Sequence, residues 1–290
     1  MIGESLMELS DLKIFQAIAE ELSISAATKR LGYVQSNVTT RLRKLEDELG
    51  VLLFYRDVKG IRLTEKGADF RQYADSILKM ADEAIAVMKD EEEPSGTLRL
   101  GIVETVTCGN FMNLIATYQA QFDKVSLRLE TGTPNKLMVK VNGYELDAAL
   151  VIGNLSSTDF VLDYLQTDEL VLVSQKELNI STLLEQKWAV SPKGCPFREL
   201  LEKWFHEEGL ELTDVIEISS LETILSSVKE GITATILPKT VLTGSYEQLH
   251  ATPLPLQHKH METGLIRRKD KYLSYAYKAF AELVKKQGLQ

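Results

Sequence analysis

Cysteine is scarce in this sequence, because only Cys108 and Cys195 occur among 290 residues. Two thiols are too few for a disulfide framework. The sequence also has no CxxC pair and no cluster of histidine and cysteine with the spacing of a zinc site. It therefore predicts neither a structural metal nor a fold held together by disulfides.

Long apolar runs are missing as well. No run approaches the ~20 residues of a membrane-spanning helix, and the first residues lack the apolar segment of a secretion signal. We therefore expect a cytoplasmic protein with no membrane partner. The sequence has no GxSxG motif, no glycine-rich phosphate loop and no Ser, His and Asp set in a predicted site, so we expect neither an enzyme nor a cofactor.

Positive charge is in short supply overall but is concentrated in one region. The chain has 33 basic and 42 acidic residues and a formal net charge of −9. From Lys29 to Lys66, nine cationic side chains face five anionic ones, so this segment carries +4 and the remainder −13. A cationic segment can neutralise phosphates locally while an acidic remainder discourages non-specific binding.

The segment from Ser25 to Glu46 predicts two short helices joined by a tight turn. Apolar side chains repeat at helical spacing in both halves: Ala26, Ala27, Leu31, Val38, Leu42 and Leu45. Gly32 follows the first helix, where a left-handed C-terminal residue is favoured. The opposite face of the second helix is polar and cationic, which suits a helix in a DNA major groove. The alternative is a solvated face in any small helical bundle.

The next segments change the balance between these alternatives. They are LEDELGVLLFYR (45–56), DVKGIR (57–62) and LTEKG (63–67). In this order the motifs resemble those of LysR-type transcriptional regulators, and residues 7–67 are similar to the winged helix-turn-helix of that family. Val34 stands where the family often has a serine N-cap, and Ser36 stands where it often has proline. Ser36 is therefore a candidate to cap the second helix instead.

The candidate DNA-binding residues lie on the second helix and on the wing at 57–62. Candidates for base-edge contact are Gln35, Thr39 and Arg41, and candidates for phosphate contact are Arg43, Lys44 and Arg56. The whole set is Gln35, Ser36, Val38, Thr39, Thr40, Arg41, Arg43, Lys44, Arg56, Lys59 and Arg62. The alternative for the wing is a solvated hairpin.

A long amphipathic helix is predicted over 64–90. Its apolar side chains alternate in spacing between four and three residues: Phe70, Ala74, Ile77, Ala81, Ala84 and Met88. No second amphipathic helix lies nearby in the sequence, so we expect a second copy of the chain to cover this seam. The resemblance likewise implies a homodimer, and further a homotetramer, on double-stranded promoter DNA with dyad half-sites. The alternative is a helix packed on its own core.

From residue 91 onward, strands and helices alternate, which predicts a mostly parallel sheet with helices on its faces. Strands are predicted at 98–104, 125–132, 146–153, 170–175, 187–192, 215–220, 234–239 and 263–269. The resemblance implies a two-lobed α/β domain similar to periplasmic binding proteins. The predicted organisation is a mainly-α winged helix-turn-helix (7–63), a linker helix (64–90) and an effector-binding domain (91–290). Lobe one spans about 97–166 and 265–290, and lobe two about 167–264.

An effector is expected at the carboxyl ends of these strands, where hydroxyl-rich loops and helix N-termini suit a small anion such as a carboxylate. By analogy with the family, the candidate residues are Thr105, Val106, Thr107, Thr131, Thr133, Gly194, Cys195, Pro196 and Phe197. The alternative is that the hydroxyls only cap helices. Thr233 replaces a family glycine and is expected to project toward the cleft. Cys108 and Cys195 fall on different predicted lobes, so a redox switch is one alternative for them, and packing, the commoner role of such cysteines, is the other.

The leading hypothesis is a sequence-specific DNA-binding transcriptional regulator whose promoter binding responds to a small molecule between the lobes. A second hypothesis is an α/β enzyme, which the missing catalytic motifs disfavour. A third is a small-molecule-binding module in which the N-terminal segment serves only to dimerise the chain. Salt-dependent binding to duplex DNA would distinguish the first hypothesis from the third.

Overall fold

The computed structural model describes residues 7–57, 60–88, 93–153, 155, 159–178, 183 and 186–289. The chain divides into two compact units, Met1–Lys89 with Gly143–Glu145 and Asp90–Asn142 with Leu146–Gln290. No helix within the described ranges is both long and apolar enough to cross a membrane.

The first unit consists of helices and one hairpin. Its elements are α1 (Leu9–Glu21), α2 (Ile24–Leu31), α3 (Gln35–Leu49), β1 (Phe54–Asp57), β2 (Gly60–Leu63) and α4 (Glu65–Met88), and β1 pairs with β2 antiparallel. The Oγ of Ser23 accepts a hydrogen bond from the Ala26 N–H and so caps α2. Gly32 and Gly50 end α2 and α3 with φ values of 69° and 67°, where a side chain would be strained.

Helices α1 to α3 and the hairpin share one core. The fully buried ring of Phe15 lies 5.3 Å from that of Phe54 and 5.0 Å from that of Phe70. The buried Glu46 at the end of α3 accepts hydrogen bonds through Oε1 from the N–H groups of Leu53 (2.8 Å) and Phe54 (3.3 Å). This carboxylate fixes the path of the chain from α3 into the hairpin.

Helix α4 buries only part of its apolar surface within the first unit. Its inner face buries Ala74 and Leu78 in the core of the first unit, with Phe70 packed beside them. Large apolar side chains elsewhere on α4 stay exposed: Tyr73 and Met80, and, further along the helix, Ile85 and Met88. At about 100° per residue, Ile85 lies on the same side of α4 as Leu78, and Met88 on the same side as Phe70. The seam predicted from the sequence is therefore not one continuous exposed stripe. Its first residues, Phe70 and Ala74, are used inside the chain because the first half of α4 packs on α1.

The second unit is an α/β domain. Its strands are β3 (Gly96–Ile102), β4 (Val125–Thr131), β5 (Ala148–Ile152), β6 (Phe160–Ser174), β7 (Trp188–Val190), β8 (Val215–Glu217), β9 (Thr235–Pro238), β10 (His250–Pro253) and β11 (His260–Arg268). Its helices are α5 (Phe111–Gln121), α6 (Pro134–Asn142), α7 (Pro196–Glu207), α8 (Leu221–Lys229) and α9 (Tyr275–Gln287). The main sheet has the order β10-β6-β11-β5-β3-β4, and β9 also pairs with β6.

Two long strands join two lobes of this unit. Strands β6 and β11 pair antiparallel from Glu169 opposite His260 to Phe160 opposite Arg268. In the first lobe, β3 lies parallel between β4 and β5, and their core includes residues of α5, α6 and α9. In the second lobe, β7 pairs with β8 in parallel and packs with β9, α7 and α8 around separate apolar clusters. We call β6 and β11 the crossing strands.

The crossing strand β6 is longer than the sequence predicted, because it begins at Phe160 and not at residue 170. Strand β10 and helix α9 were not predicted. The first half of β6 was missed because most of its side chains are partly exposed and show no run of buried apolar residues. Sequence periodicity detects strands mainly through such runs or through strict alternation.

Candidate functional sites

The polar face of α3 is the first candidate site. Helix α3 begins at Gln35, and its N-cap is Val34, which makes no side-chain capping bond. Ser36 lies inside the helix, so the expectation that Ser36 caps it was wrong. The first N–H groups of α3 consequently have no side-chain cap among the described residues, and they point from an exposed helix end.

Val38 is the clearest exception among the candidate DNA-binding residues. Its side chain is fully buried in the core of the first unit, together with Leu42 and Leu45. A valine in this position stabilises the packing of α3 on α1 and α2 and has no surface for DNA. Its inclusion as a contact residue was wrong, and the helical spacing with Leu42 and Leu45 already indicated the inner face.

Arg41 is held inside the first unit. Its Nη1 donates hydrogen bonds to Asp11 (2.8 Å), to Ser10 and to Glu8 (3.1 Å), at the start of α1. Asp11 is only 2% exposed, whereas the Arg41 side chain is 32% exposed. The hydrogen bond to Glu8 is the main cause that raises the pKa of Arg41 above its usual value. Arg41 therefore joins α3 to α1 in the absence of DNA, and its contact with a base edge stays a prediction.

The remaining candidates on α3 are directed to solvent. Gln35, Ser36, Thr40, Arg43 and Lys44 are exposed. Thr39 is half-buried, and its hydroxyl donates to the carbonyl of Gln35 at 2.9 Å. On the hairpin, the guanidinium of Arg62 lies 5.1 Å from the centre of the Tyr55 ring. Lys59 and the side chain of Arg56 lie outside the described residues.

The cleft between the lobes of the second unit is the second candidate site. Glu104, just after β3 in the first lobe, accepts a hydrogen bond through Oε2 from the N–H of Leu221 at 2.9 Å. Leu221 is the first residue of α8 in the second lobe, and Ser220 is the N-cap of that helix. A carboxylate from one lobe therefore satisfies the positive N-terminus of a helix in the other.

Two glycine positions show how closely the lobes approach elsewhere in the cleft. A β-carbon at Gly153, after β5, would stand 3.2 Å from the ring of Pro196 at the start of α7. A β-carbon at Gly194 would stand 3.7 Å from the side-chain amide of Asn135 in α6. The loops at the carboxyl ends of strands from both lobes therefore face each other, as expected for a ligand site in an open α/β sheet.

The candidate effector residues occupy these loops with different exposures. Thr105 and Val106 are buried in a 3-10 helix, Glu104–Cys108, and the hydroxyl of Thr107 donates to the carbonyl of Glu104 at 2.7 Å. Thr131 is exposed at the end of β4, and Thr133, Gly194, Cys195 and Pro196 are partly buried. Phe197 packs against apolar clusters of both lobes, so it lies where the lobes meet.

Three polar residues of the crossing strands were not foreseen. Asp168 is 3% exposed and accepts hydrogen bonds from Gln166 at 2.8 Å and from the Thr263 hydroxyl. Asp168 and Thr263 are 95 residues apart in the sequence. The only signal for Asp168 was a charged residue followed by a buried strand, which is an ambiguous pattern on its own.

Thr233 does not project into the cleft as expected. Its side chain is 4% exposed, and its hydroxyl lies 2.7 Å from the hydroxyl of Ser227 in α8. The turn before it uses Gly231 with a φ of 71°. Thr233 therefore stabilises the connection between α8 and β9, and the expectation that it reshapes the cleft was wrong.

The two cysteines are both free thiols. Burial is the main cause that raises the pKa of the Cys108 thiol, and the carboxylates of Glu104 and Glu222 raise it further, while a hydrogen bond from Thr107 opposes this. A raised pKa keeps Cys108 protonated at neutral pH and makes it a poor nucleophile. Among the described residues, no group of three or more metal-ligating side chains is present.

Both units match known protein families. Residues 9–68 match the bacterial regulatory helix-turn-helix protein, lysR family, and residues 91–288 match the LysR substrate binding domain. The chain is 37% identical over 281 residues to the HTH-type transcriptional regulator CzcR of Bacillus subtilis (strain 168), covering 96% of this chain and 97% of that protein. It is 34% identical over 278 residues to the HTH-type transcriptional regulator YofA of the same strain, covering 95% and 98%.

Solved structures share the fold over nearly the whole chain. Full-length CbnR complexed with its target DNA has a TM-score of 0.70 and 20% sequence identity, covering 97% of this chain and 99% of that chain. A full-length OxyR variant from Pseudomonas aeruginosa has a TM-score of 0.69 and 22% identity, covering 98% and 96%. At these identities the similarity shows a common fold and no more.

Proposed function

Because the chain belongs to the LysR family of bacterial transcriptional regulators, we propose that α3 and the β1–β2 hairpin bind promoter DNA and that the cleft binds the effector that controls this binding. The observation that carries the proposal is the exposed face of α3. It presents amide, hydroxyl and cationic groups to solvent on a helix whose other face is fixed in a core. We also place the protein in the cytoplasm, where its DNA target lies.

The exposed groups divide by their chemistry into two roles. Gln35, Ser36 and Thr40 carry donors and acceptors that can distinguish base edges in the major groove. Arg43 and Lys44, with Arg56, Lys59 and Arg62 of the wing, carry charge that neutralises phosphates without reading sequence. Arg41 supports both roles indirectly, because it fixes α3 on α1.

The exposed apolar side chains of α4 support the proposal of a homodimer. Tyr73 is 69% exposed and Met80, one heptad later, is 49% exposed, and they are followed by Ile85 and Met88. A second α4 would bury these side chains and gain stability from the apolar area removed from water. The dimer then presents two copies of α3 to dyad half-sites about one helical turn apart. We further propose that two dimers form a homotetramer.

The interlobe contacts suggest how an effector acts. Glu104 and Phe197 connect the lobes through different kinds of contact, a hydrogen bond to α8 and apolar packing. A ligand that binds the cleft in one lobe arrangement better than in another shifts the population toward that arrangement. The shift changes how the DNA-binding units of the oligomer are presented.

Binding of the full-length protein to DNA flanking its own gene tests the proposal. Fluorescence anisotropy over a range of salt concentrations gives the affinity and its salt slope. Arg43→Ala with Lys44→Ala should weaken binding on every duplex alike and reduce the salt slope by about 2, because two phosphate contacts are lost. Gln35→Ala should instead cost about 1–3 kcal/mol on the preferred sequence and relax specificity at one position.

Lys285→Ala serves as the matched control, because Lys285 is an exposed cation of α9 in the second unit. Its DNA affinity and salt slope should equal those of the wild type. If the folded wild-type protein does not bind any duplex at low salt, the proposal is wrong. In that case the first unit serves only to dimerise a small-molecule-binding module.

A further inference from the structure

A small pocket lies at the base of the cleft, between the crossing strands and the loops that follow β3 and β9. We call it the hinge pocket. Its polar lining side chains are Thr105, Gln166, Asp168, Thr240 and Thr263, and its other lining residues are apolar. It includes residues of both lobes and of both crossing strands, so its shape depends on how the lobes are arranged.

Thr105 is a buried hydroxyl without a partner in this pocket. Its side chain is 8% exposed, and its Oγ1 has no hydrogen-bond partner among the described residues. Buried polar groups are nearly always hydrogen-bonded, so an orphaned hydroxyl that lines a pocket points to a polar group that completes it. In the same 3-10 helix, the Thr107 hydroxyl donates to the carbonyl of Glu104, which shows that a threonine there can be satisfied internally.

Asp168 gives the hinge pocket its charge. It is 3% exposed, and it is the one ionisable side chain in the lining that the structure describes. Gln166 donates to one carboxylate oxygen and Thr263 to the other, and Tyr164 donates in turn to Gln166 at 2.9 Å. This network holds the carboxylate in one orientation. A carboxylate with fixed oxygens accepts hydrogen bonds and favours a positive charge nearby.

An anionic ligand is disfavoured at the same end of the cleft. The residue before Thr105 is Glu104, whose carboxylate already binds the N-terminus of α8. A helix N-terminus is the usual protein site for an anion, and here the chain supplies that anion itself. A further negative charge beside Glu104 and Asp168 would meet repulsion in a partly buried site.

We propose that the hinge pocket binds the primary ammonium group of the effector, which rests on the proposed function of the cleft. The pocket has room for a group about as large as one water molecule, which matches an ammonium head and excludes a quaternary one. An ammonium carries three donors and no acceptor. Thr105 and Asp168 offer the acceptors, with Thr240 as a further hydroxyl of the lining. This inference differs from the small anion that the hydroxyl-rich loops suggested from sequence.

Thermal unfolding of the full-length protein with small ions tests the inference. Methylammonium chloride should raise the unfolding temperature in a saturable manner, above the effect of sodium chloride at equal ionic strength. Tetramethylammonium chloride and sodium acetate should behave like sodium chloride, because the first is too large and the second has the wrong charge. The apparent affinity for methylammonium should fall by about tenfold in Asp168→Asn, which loses a charged hydrogen-bond partner.

Thr105→Val is the second variant and removes only the hydroxyl. It should weaken the methylammonium response while keeping the shape of the side chain, so it tests the pocket even if Asp168→Asn fails to fold. Asp123→Asn and Thr117→Val are matched controls away from the hinge pocket and should respond as the wild type does. A response equal to that of sodium chloride, an undiminished response in Thr105→Val, or a saturable response to acetate instead would overturn the inference.

The DNA-binding assay separates this inference from the proposed function. If methylammonium has no specific effect while salt-dependent DNA binding is intact, only the ammonium assignment is wrong. If the wild-type protein does not bind duplex DNA at all, the regulator proposal fails, whatever the ions do.

Discussion

Both units of the molecule contain arginine side chains that pair with two carboxylates, and in the first unit Arg30, with Glu20 and Glu21, is one of them. Arg41 in α3 is held by Glu8 and Asp11, and Arg198 in α7 is held by Glu202 and Glu217. The difference lies in what remains around them. On α3, Arg43 and Lys44 stay exposed, whereas the hinge pocket is lined by the carboxylate of Asp168, and Glu104 directly precedes its lining residue Thr105.

This difference indicates which ligand each region suits. Exposed cations on a fixed helix suit a polyanion, because each can neutralise one phosphate. Carboxylates held in a partly buried pocket suit a group that carries hydrogen-bond donors and positive charge. In both regions the paired arginine helps to position its helix, and the other charged side chains determine which sign of charge a ligand must carry.

The largest effect is expected at Arg41. Arg41→Ala removes the cation that pairs with the buried Asp11, so the free energy of unfolding of the first unit should fall by about 2 kcal/mol. Urea denaturation followed by circular dichroism measures this loss. Arg43→Ala, two residues further along α3, is the control and should change stability by less than about 0.5 kcal/mol while weakening DNA binding.

The opposite result at Arg41 would contradict the claim that this arginine only positions α3. If Arg41→Ala keeps wild-type stability but relaxes specificity at one base pair, Arg41 leaves its carboxylates on binding and reads a base. The role expected from the sequence would then be correct, and the contacts with Glu8 and Asp11 would describe only the DNA-free state.

A smaller effect is expected at Glu104. Glu104→Ala removes the side-chain acceptor of the Leu221 N–H at the start of α8, so the second unit should lose about 1 kcal/mol of stability. Denaturation of the full-length protein, with the tryptophans Trp188 and Trp204 as reporters of the second unit, measures this loss. Glu282→Ala is the control, because Glu282 is an exposed acid of α9. Unchanged stability in Glu104→Ala would show that the interlobe bond contributes nothing.

Sequence reasoning succeeded where the signals were local. The end of α2 at Leu31 followed from Gly32, because a left-handed residue and an apolar stripe need only nearby positions, whereas α3 runs three residues beyond the predicted Glu46, to Leu49. The wing at 57–62 was found from motif order, and the carboxyl-end loops of the second unit were found from the alternation of predicted strands and helices. Their element types therefore depended little on packing between distant segments.

Sequence reasoning failed where partners are far apart in the chain. Nothing near Arg41 indicates that it pairs with Glu8, 33 residues earlier, and nothing near Asp168 indicates Thr263. The same cause explains α4, whose inner face covers α1 of its own chain before any partner chain is considered. These long-range pairs decide which charged groups line each site. The sign of the charge at each site therefore became known only from the structure.

The smallest effect is expected at Cys108, because the pKa of its thiol reports the charges nearby in the cleft. Burial chiefly raises the pKa of its thiol, and the carboxylates of Glu104 and Glu222 add to the increase. Glu104→Gln and Glu222→Gln should therefore each lower the pKa of Cys108, since a like charge near the thiolate is removed. The pH dependence of alkylation by iodoacetamide, followed at Cys108 by mass spectrometry, measures this shift, with Glu282→Gln as the control.

The sign of the linkage follows from the same shift. Because the folded pKa of Cys108 lies above the unfolded one, its contribution to stability is complete below the unfolded pKa and is lost as pH rises through the folded pKa. Wild-type protein should therefore lose this contribution at alkaline pH, and Cys108→Ser should not show that loss. If neutralising either carboxylate leaves the alkylation profile unchanged, burial alone raises the pKa of Cys108. The claim that carboxylates determine the charge in the cleft then loses this independent support.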